Sequence, residues 1–207
     1  MAIRIQASDR VAFIGASGTG KTELAKFFLS RVNRIVVIDP KHTFRLEGFK
    51  RTWRLPWGKN SDFRLIVRPK MDQDAELYEL ITRLYKMGHV TIYVDEMATL
   101  SEMFPTSTAL LKNVARTGRE KRVALWSAVQ RPRGVPLVFF TECETFFVFN
   151  LRSIDDRQHV KGYVGDEVLD RIPKYKFWHC STDSDDPILL TLDLKTQSIK
   201  KGGDSNA

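Results

Sequence analysis

Residues 15–22 combine the residue types and the spacing that hold a nucleoside triphosphate. The stretch runs Gly15-Ala-Ser-Gly-Thr-Gly-Lys-Thr22, which fits the pattern G-x-x-x-x-G-K-T. Glycines let the backbone wrap closely round phosphates and turn its N–H groups inward. Lys21 can reach the β- and γ-phosphates, and the Thr22 hydroxyl can ligate Mg²⁺. The pattern predicts a P-loop that binds ATP and Mg²⁺ through Gly15, Ala16, Ser17, Gly18, Thr19, Gly20, Lys21 and Thr22.

The residues on either side of this loop predict the elements that must position it. Val11 to Ile14 form a short apolar run of the kind that a buried parallel strand shows. Residues 23–31 have the spacing of an amphipathic helix. A helix that starts directly after the loop directs its N-terminus at the phosphates, where backbone N–H groups stabilise negative charge.

A second pair of candidate residues, Asp95 and Glu96, ends an apolar run that begins at residue 89. A strand that ends in Asp-Glu resembles a Walker B motif, in which Asp95 holds the Mg²⁺ shell and Glu96 polarises the attacking water. The alternative is a strand that simply ends in two solvated acids. Downstream of a P-loop the catalytic interpretation is favoured, because the pair supplies the chemistry that the P-loop lacks.

Two further polar residues follow predicted strands. Asp39 ends a β-branched run over 34–39, and Gln130 follows the apolar run 123–129. In an open α/β sheet, ligands bind at the carboxyl ends of the strands. We therefore predict that Asp39 contacts the nucleotide and that Gln130 senses the γ-phosphate. The alternatives are an ordinary Asp-Pro turn at Pro40 and a polar residue that opens a turn before Pro132.

The remaining pattern predicts a single α/β domain over residues 1–194. Apolar spacing indicates helices over 72–87 and 106–122, and a further helix opens within 152–157. Further strands are predicted at 62–68 and 144–150, with a closing hairpin over 176–181 and 187–193. Residues 195–207 are polar and are predicted to be a disordered tail.

Charge and cysteine content bound the partners and the compartment. The net charge is +8, and residues 1–70 carry 15 Lys and Arg against 5 Asp and Glu. Such a basic excess favours a polyanionic partner, although a solvated face that also offsets bound nucleotide would have the same composition. Two cysteines without metal spacing suggest a reducing compartment. No apolar run approaches the ~20 residues of a membrane span, so we expect a cytoplasmic protein without a membrane partner.

Residues 44–61 allow two interpretations, because Trp53 and Trp57 stand among several basic residues. Aromatic side chains can stack on bases while cations hold phosphates, which would make this segment face nucleic acid. Alternatively, the tryptophans attach a small hairpin to the core, and this second interpretation is the one that we favour.

Taken together, these motifs resemble those of the FtsK/HerA superfamily of DNA-pumping ATPases. The family places D-P-K or D-P-H-G after the second strand, T-Q-R-P after the fourth, a Gly-Arg one strand earlier and S-x-x-D-S-R after the next strand. The matching segments here are Asp39-Pro40-Lys41, Asp95-Glu96, Gly118-Arg119, Gln130-Arg131-Pro132 and Ser153-Ile-Asp155-Asp156-Arg157. Val129 departs from the family's usual threonine. The match covers roughly residues 8–160.

The resemblance implies a three-layer P-loop NTPase fold of the RecA/FtsK-HerA type, with a mostly parallel central sheet and a C-terminal hairpin. It also implies ATP-driven translocation of double-stranded DNA by a homo-oligomeric ring, pentamer or hexamer, in which an arginine finger completes a neighbour's site. The candidate fingers are Arg119 first, then Arg157, Arg116 and Arg152.

Size and the lack of apolar spans make the chain most similar to viral genome-packaging ATPases of this superfamily. The resemblance then implies a capsid vertex or portal protein as a docking partner, and a location in the host cytoplasm or at the virion vertex. A cellular or plasmid translocase would share the chemistry, and gene neighbourhood would separate the two. A small-molecule kinase would need an arginine-rich lid, and a nucleotide-gated binding module would have no use for Glu96 and Gln130.

Overall fold

A computed structural model describes residues 3, 5–6, 8–56, 61–182 and 184–201. Trp57 and Lys59, which belong to the predicted excursion over 44–61, lie outside the described residues. Residues 202–207, the end of the predicted tail, also lie outside them. None of the helices in the described ranges is long and apolar enough to cross a membrane.

The centre of the molecule is one sheet, which has ten strands within the described part of the chain. Its spatial order is β10-β9-β8-β7-β1-β6-β5-β2-β4-β3. Strands β1 to β7 pair in parallel, and β8, β9 and β10 extend the sheet in antiparallel pairing. The strands are β1 Val11–Ile14, β2 Arg34–Ile38, β3 Lys50–Arg51, β4 Phe63–Val67, β5 Val90–Asp95, β6 Val123–Val129, β7 Thr145–Val148, β8 Lys176–Ser181, β9 Ser184–Asp193 and β10 Ser198–Lys201.

Helices lie in the connections from β1 to β2, from β4 to β5, from β5 to β6 and from β6 to β7. The helices are α1 Lys21–Leu29, α2 Asp74–Met87, α3 Met97–Met103, α4 Pro105–Thr117, α5 Val138–Thr141 and α6 Ile154–Val164, with 3₁₀ turns at Gly118–Lys121, Pro132–Gly134 and Asp166–Leu169. The helix predicted over 106–122 ends earlier, at Thr117. A Cβ on Gly118 would lie 2.4 Å from the carbonyl oxygen of Val123, so the backbone turns back closely at this glycine.

Each face of the sheet has its own hydrophobic core, which confirms the predicted three-layer fold. Successive side chains of a strand point to opposite faces, and β1 shows this directly. Ala12 and Ile14 pack with α2 and α4 on one face. Val11 and Phe13 pack with the apolar side of α1 on the other. The parallel strands are therefore buried on both faces, which explains their continuous apolar runs.

Two sequence predictions about the edges of the sheet need correction. Residues 195–201 are not a disordered tail, because Ser198–Lys201 pairs with β9 and Ile199 packs against the core beside α1. The ordered domain thus extends to Lys201. The predicted hairpin within 44–61 is also wrong for the described residues, since Lys50–Arg51 pairs in parallel with β4. Trp53 does pack against the core, as the favoured interpretation of that segment expected.

Candidate nucleotide-binding site

The P-loop lies at the carboxyl edge of the sheet, between β1 and α1. The Gly15 N–H donates to the carbonyl of Val129 at 3.0 Å, and the Ala16 N–H donates to the carbonyl of Asn150 at 3.0 Å. These two bonds tie the loop to the chain that leaves β6 and β7. The first helical residue of α1 is Lys21, so the helix N-terminus faces the loop, as the sequence predicts.

The C-terminal meander supports the loop from outside. The Tyr175 N–H donates to the carbonyl of Thr19 at 2.9 Å, and the Leu192 N–H donates to the carbonyl of Tyr175 at 2.9 Å. A Cβ on Gly20 would lie 2.6 Å from the Tyr175 ring, and Gly20 has a φ of +114°. Glycine is required here for both reasons. No local sequence pattern predicts this contact, because it joins residues that are far apart in the chain.

A cavity of ≈ 340 Å³ opens beside the P-loop. Within the described part of the chain its lining carries more cationic than anionic side chains, which suits a phosphate chain. Lys21 is almost fully buried there. Burial lowers the pKa of Lys21, although the nearby charges of Glu96 and Asp95 oppose this shift. The lining residues are Lys21, Thr22, Lys26, Lys41, Thr43, Phe44, Arg45, Asp95, Glu96, Ala128 and Gln130.

Asp95 and Thr22 line the same cavity and supply oxygen ligands of the kind that Mg²⁺ prefers. The buried Tyr93 hydroxyl donates to Asp95 Oδ1 at 3.1 Å. Burial raises the pKa of the Asp95 carboxyl, and the Tyr93 hydrogen bond lowers it in part. The described residues contain no group of three or more His, Cys, Asp and Glu that could hold a metal alone.

Glu96 is held in one orientation by contacts on both of its carboxylate oxygens. Oε1 accepts from the Gln130 N–H at 3.1 Å, and Oε2 lies 3.4 Å from Lys41 Nζ. The residue is 4% exposed. Its backbone lies in the left-handed region at φ 90° and ψ 84°, a conformation that costs a side-chain-bearing residue about 1–3 kcal/mol. The strain and the two contacts together direct a buried carboxylate at the cavity.

Asp39 occupies a different position from the one that the sequence predicts. It is fully buried and does not belong to the lining of the cavity. Its carboxylate accepts from the N–H groups of Thr43 and Phe44 and from Arg68 Nε, at 2.9–3.1 Å. Asp39 therefore fixes the turn that carries Lys41 into the cavity, instead of lining the cavity itself.

We expect Asp39→Ala to lower the free energy of unfolding by about 3–5 kcal/mol, because it leaves the largely buried Arg68 guanidinium without its carboxylate. Urea denaturation of the two proteins measures the difference. Asp62→Ala, at an exposed position, is the control and should be near neutral. A stable Asp39→Ala protein without ATP affinity would instead make Asp39 a direct nucleotide ligand.

The candidate arginine fingers lie in different environments. Arg119 is in the 3₁₀ turn before β6, with a side chain that is 76% exposed and 3.5 Å from Glu144 Oε1. Arg157 is buried and donates to the carbonyl of Leu169 at 2.6 Å. Its guanidinium packs inside its own subunit, which does not suit a finger. Arg116 and Arg152 are exposed.

Lys41 is the functional candidate that the sequence prediction omitted, together with Lys26, Thr43 and Arg45. A signal was present for Lys41, since it is the third residue of the Asp-Pro-Lys segment that follows β2. Nothing local showed that its ammonium pairs with a carboxylate 55 residues later in the chain.

Comparison with known proteins gives one sequence relative and several related structures. The DNA packaging ATPase P9 of Enterobacteria phage PRD1 is 28% identical over 163 residues, which cover 75% of this chain and 70% of that protein. The genome packaging NTPase B204 of Sulfolobus turreted icosahedral virus 2, in complex with AMPPCP, superposes with a TM-score of 0.65 at 15% identity. The match covers 94% of this chain and 97% of B204.

A third structure, the pCW3 conjugation coupling protein TcpA with ATPγS, has a TM-score of 0.66 at 14% identity and covers 90% of this chain and 61% of TcpA. No family model matches the chain. These similarities agree with the P-loop, the Asp95-Glu96 pair and the order of the strands. The chain thus resembles the viral genome-packaging ATPases of the FtsK/HerA superfamily.

Proposed function

We propose that this protein is an ATPase that drives double-stranded DNA into a viral capsid. The observation that carries the proposal is the convergence of Lys21, Asp95 and Glu96 on one cavity beside a P-loop. This is the set of groups that ATP hydrolysis requires. The similarity to P9 of phage PRD1 and to B204 supports the packaging role.

The residues of the site divide the work of hydrolysis. The P-loop amides and Lys21 hold the phosphates, and Thr22 and Asp95 would hold Mg²⁺. When bound, Mg²⁺ would supply positive charge that stabilises the negative charge developing on the phosphates. Glu96 positions and polarises the attacking water. Gln130 lines the cavity at the end of β6, beside the strand that carries Asp95, where its amide can sense the γ-phosphate.

Lys41 connects nucleotide binding to Glu96. Its ammonium pairs with the Glu96 carboxylate and borders the cavity that receives the phosphates. A terminal phosphate carries more negative charge than one carboxylate, so the ammonium can move to it when ATP enters. Glu96 then loses a cation and becomes free to accept a hydrogen bond from water. In this scheme, ATP itself prepares the general base.

We further propose that the working unit is a homo-oligomeric ring, a pentamer or a hexamer, that docks on a capsid vertex or portal protein in the infected cell. Arg119 could serve ATP hydrolysis only within such an assembly, because it lies before β6, whereas the P-loop lies beyond the end of β1. The seven residues of β6 separate these edges by about 20 Å. An arginine side chain is too short to cross that distance, so Arg119 can reach only the P-loop of another copy.

The rate of ATP hydrolysis with and without double-stranded DNA tests the proposed function directly. The oligomeric state should be measured in the same buffer. We expect hydrolysis that random-sequence duplex DNA stimulates. Phosphorylation of a small-molecule acceptor without any effect of DNA would identify a kinase instead, and ATP binding without turnover would identify a nucleotide-gated binding module.

A further inference from the structure

The amino edge of the sheet, opposite the nucleotide site, carries two adjacent cavities of ≈ 460 and ≈ 420 Å³. They share Asn33 in their lining and lie where β2, β4, β5 and β6 begin. Six basic side chains line them, and the nucleotide chemistry uses none of these side chains. We call this set the amino-edge rim. Its members are Arg31, Arg34, Lys50, Arg54, Arg64 and Arg122.

The positive charge of the rim is poorly neutralised by the lining of the cavities. Of the described residues that line the two cavities, Asp62 is the one carboxylate. Arg31 donates to the carbonyl of Phe27. Arg64 donates to the carbonyl of Val32 at 2.9 Å and to Asn33 Oδ1 at 3.1 Å. Neutral acceptors orient a guanidinium without cancelling its charge, whereas Arg68 and Lys41, near the nucleotide site, pair with carboxylates.

The backbone holds the rim in a specific shape. His89 and Arg122 both line the second cavity and both have left-handed backbones, with φ of 49° and 54°. Their segments are joined by hydrogen bonds from the His89 N–H to the carbonyl of Lys121 and from the Val90 N–H to the carbonyl of Arg122. Arg34 Nε donates to the carbonyl of His89 at 2.8 Å. Left-handed residues cost free energy unless glycine occupies them, and here the two of them shape the surface that carries Arg34 and Arg122.

We propose that the amino-edge rim binds the phosphate backbone of double-stranded DNA. The proposal rests on the proposed function, and it assigns the surface through which the chain holds its polymer. Five adjacent strands, β6-β5-β2-β4-β3, form this part of the sheet and span about 19 Å at ~4.8 Å per strand. Each strand of a DNA duplex presents one phosphate for every ~3.4 Å of length along the helix axis. Over 19 Å it offers about five or six phosphates, which matches the number of cations in the rim.

Contacts of this kind read charge and not base sequence. A packaging motor must accept any genome, so a phosphate-only surface suits it. The rim and the P-loop lie at opposite edges of the sheet, about 20 Å apart. Removing charge from the rim should therefore weaken DNA binding without changing hydrolysis in the absence of DNA. This separates the rim from every residue of the nucleotide site.

The test compares three full-length proteins in equilibrium binding to a random-sequence DNA duplex over a range of NaCl concentrations. One is unchanged, and one carries Arg31→Gln, Arg54→Gln and Arg122→Gln at exposed rim positions. The third is a matched control with Arg83→Gln, Arg171→Gln and Lys195→Gln, which removes the same charge at exposed positions outside both cavities. Thermal unfolding and DNA-independent ATP hydrolysis are measured for each.

We expect the slope of log K against log[NaCl] to become shallower by about two to three for the rim variant, at about 0.9 for each phosphate that the variant no longer neutralises. Affinity for the duplex should fall ~10-fold or more at moderate salt, with stability and basal hydrolysis unchanged. The control variant should keep the slope of the unchanged protein. An acidic polypeptide at equal charge should compete poorly with the duplex.

Three results would overturn the assignment of the rim while leaving the proposed function intact. The first is a rim variant that keeps the full slope. The second is an equal decrease of the slope in both variants, as diffuse charge would require. The third is an acidic polypeptide that competes as well as DNA, which would make the rim a protein-binding surface. If the unchanged protein binds no duplex at low salt and DNA does not stimulate its hydrolysis, both the rim and the packaging function fail.

Discussion

Glu96→Gln is expected to lower the rate of ATP hydrolysis by about 10²-fold or more while ATP still binds, because a positioned general base contributes on this scale. The substitution is nearly isosteric. The amide oxygen can still accept from the Gln130 N–H, as Glu96 Oε1 does at 3.1 Å. What the variant loses is the negative charge that polarises water and pairs with Lys41. Single-turnover hydrolysis and nucleotide affinity, measured separately, distinguish a defect in chemistry from a defect in binding.

Glu102→Gln is the matched control for this variant. Glu102 lies on the helix that Glu96 opens, and its side chain is exposed. We expect wild-type turnover from it. Wild-type turnover from Glu96→Gln as well would mean that Glu96 does not activate water, and the Walker B interpretation of Asp95-Glu96 would then be wrong.

Arg119→Ala is expected to bind ATP but to hydrolyse it poorly, with a loss of up to ~10³-fold, if Arg119 acts as a finger across a subunit interface. Lys21→Ala should also be inactive, because the site loses its phosphate-binding lysine. Mixing the two inactive proteins should restore part of the activity. In mixed assemblies, an Arg119→Ala subunit keeps an intact P-loop and can receive Arg119 from a Lys21→Ala neighbour. A self-contained enzyme has no such route to recovery.

Arg83→Ala is the control for the mixing experiment, because Arg83 is an exposed arginine on α2 and is not a candidate finger. It should retain activity alone. Background activity in mixtures whose co-assembly has been demonstrated would show that Arg119 does not act in trans. The test would then move to Arg116 and Arg152, which are both exposed. Arg157→Ala is a poor substitute, since removal of a buried guanidinium that bonds the Leu169 carbonyl disturbs the fold itself.

The arrangement of charge explains why the two edges of the sheet can have different tasks. At the carboxyl edge, Lys41 pairs with Glu96 and Arg68 pairs with Asp39, so carboxylates neutralise part of the cationic charge there before a nucleotide binds. At the amino edge, Arg31 and Arg64 are oriented by carbonyl oxygens and keep their net charge. A polyanion in solution is attracted to the second arrangement more strongly than to the first.

The sequence alone determined the P-loop, the Asp95-Glu96 pair, the alternation of strands and helices and the three-layer fold. These features are local, because a few consecutive residues are enough to determine strand burial, helix amphipathicity or glycine spacing. The same local rules did not predict β10. Its polar residues Ser198 and Lys200 make the segment look like a polar tail, although Ile199 pairs with Leu192 of β9. They also predicted a helix over 106–122, whereas the helix ends at Thr117.

Only the tertiary structure decided which polar side chains meet. The Asp39 carboxylate pairs with Arg68, and the Arg157 side chain is buried. The Lys41 ammonium pairs with Glu96, and the Tyr175 ring packs against the P-loop at Gly20. Each of these outcomes joins residues that lie apart in the chain and depends on which strands become neighbours in the sheet. A buried charge must find a partner wherever the packed fold supplies one, and no stretch of sequence specifies that partner in advance.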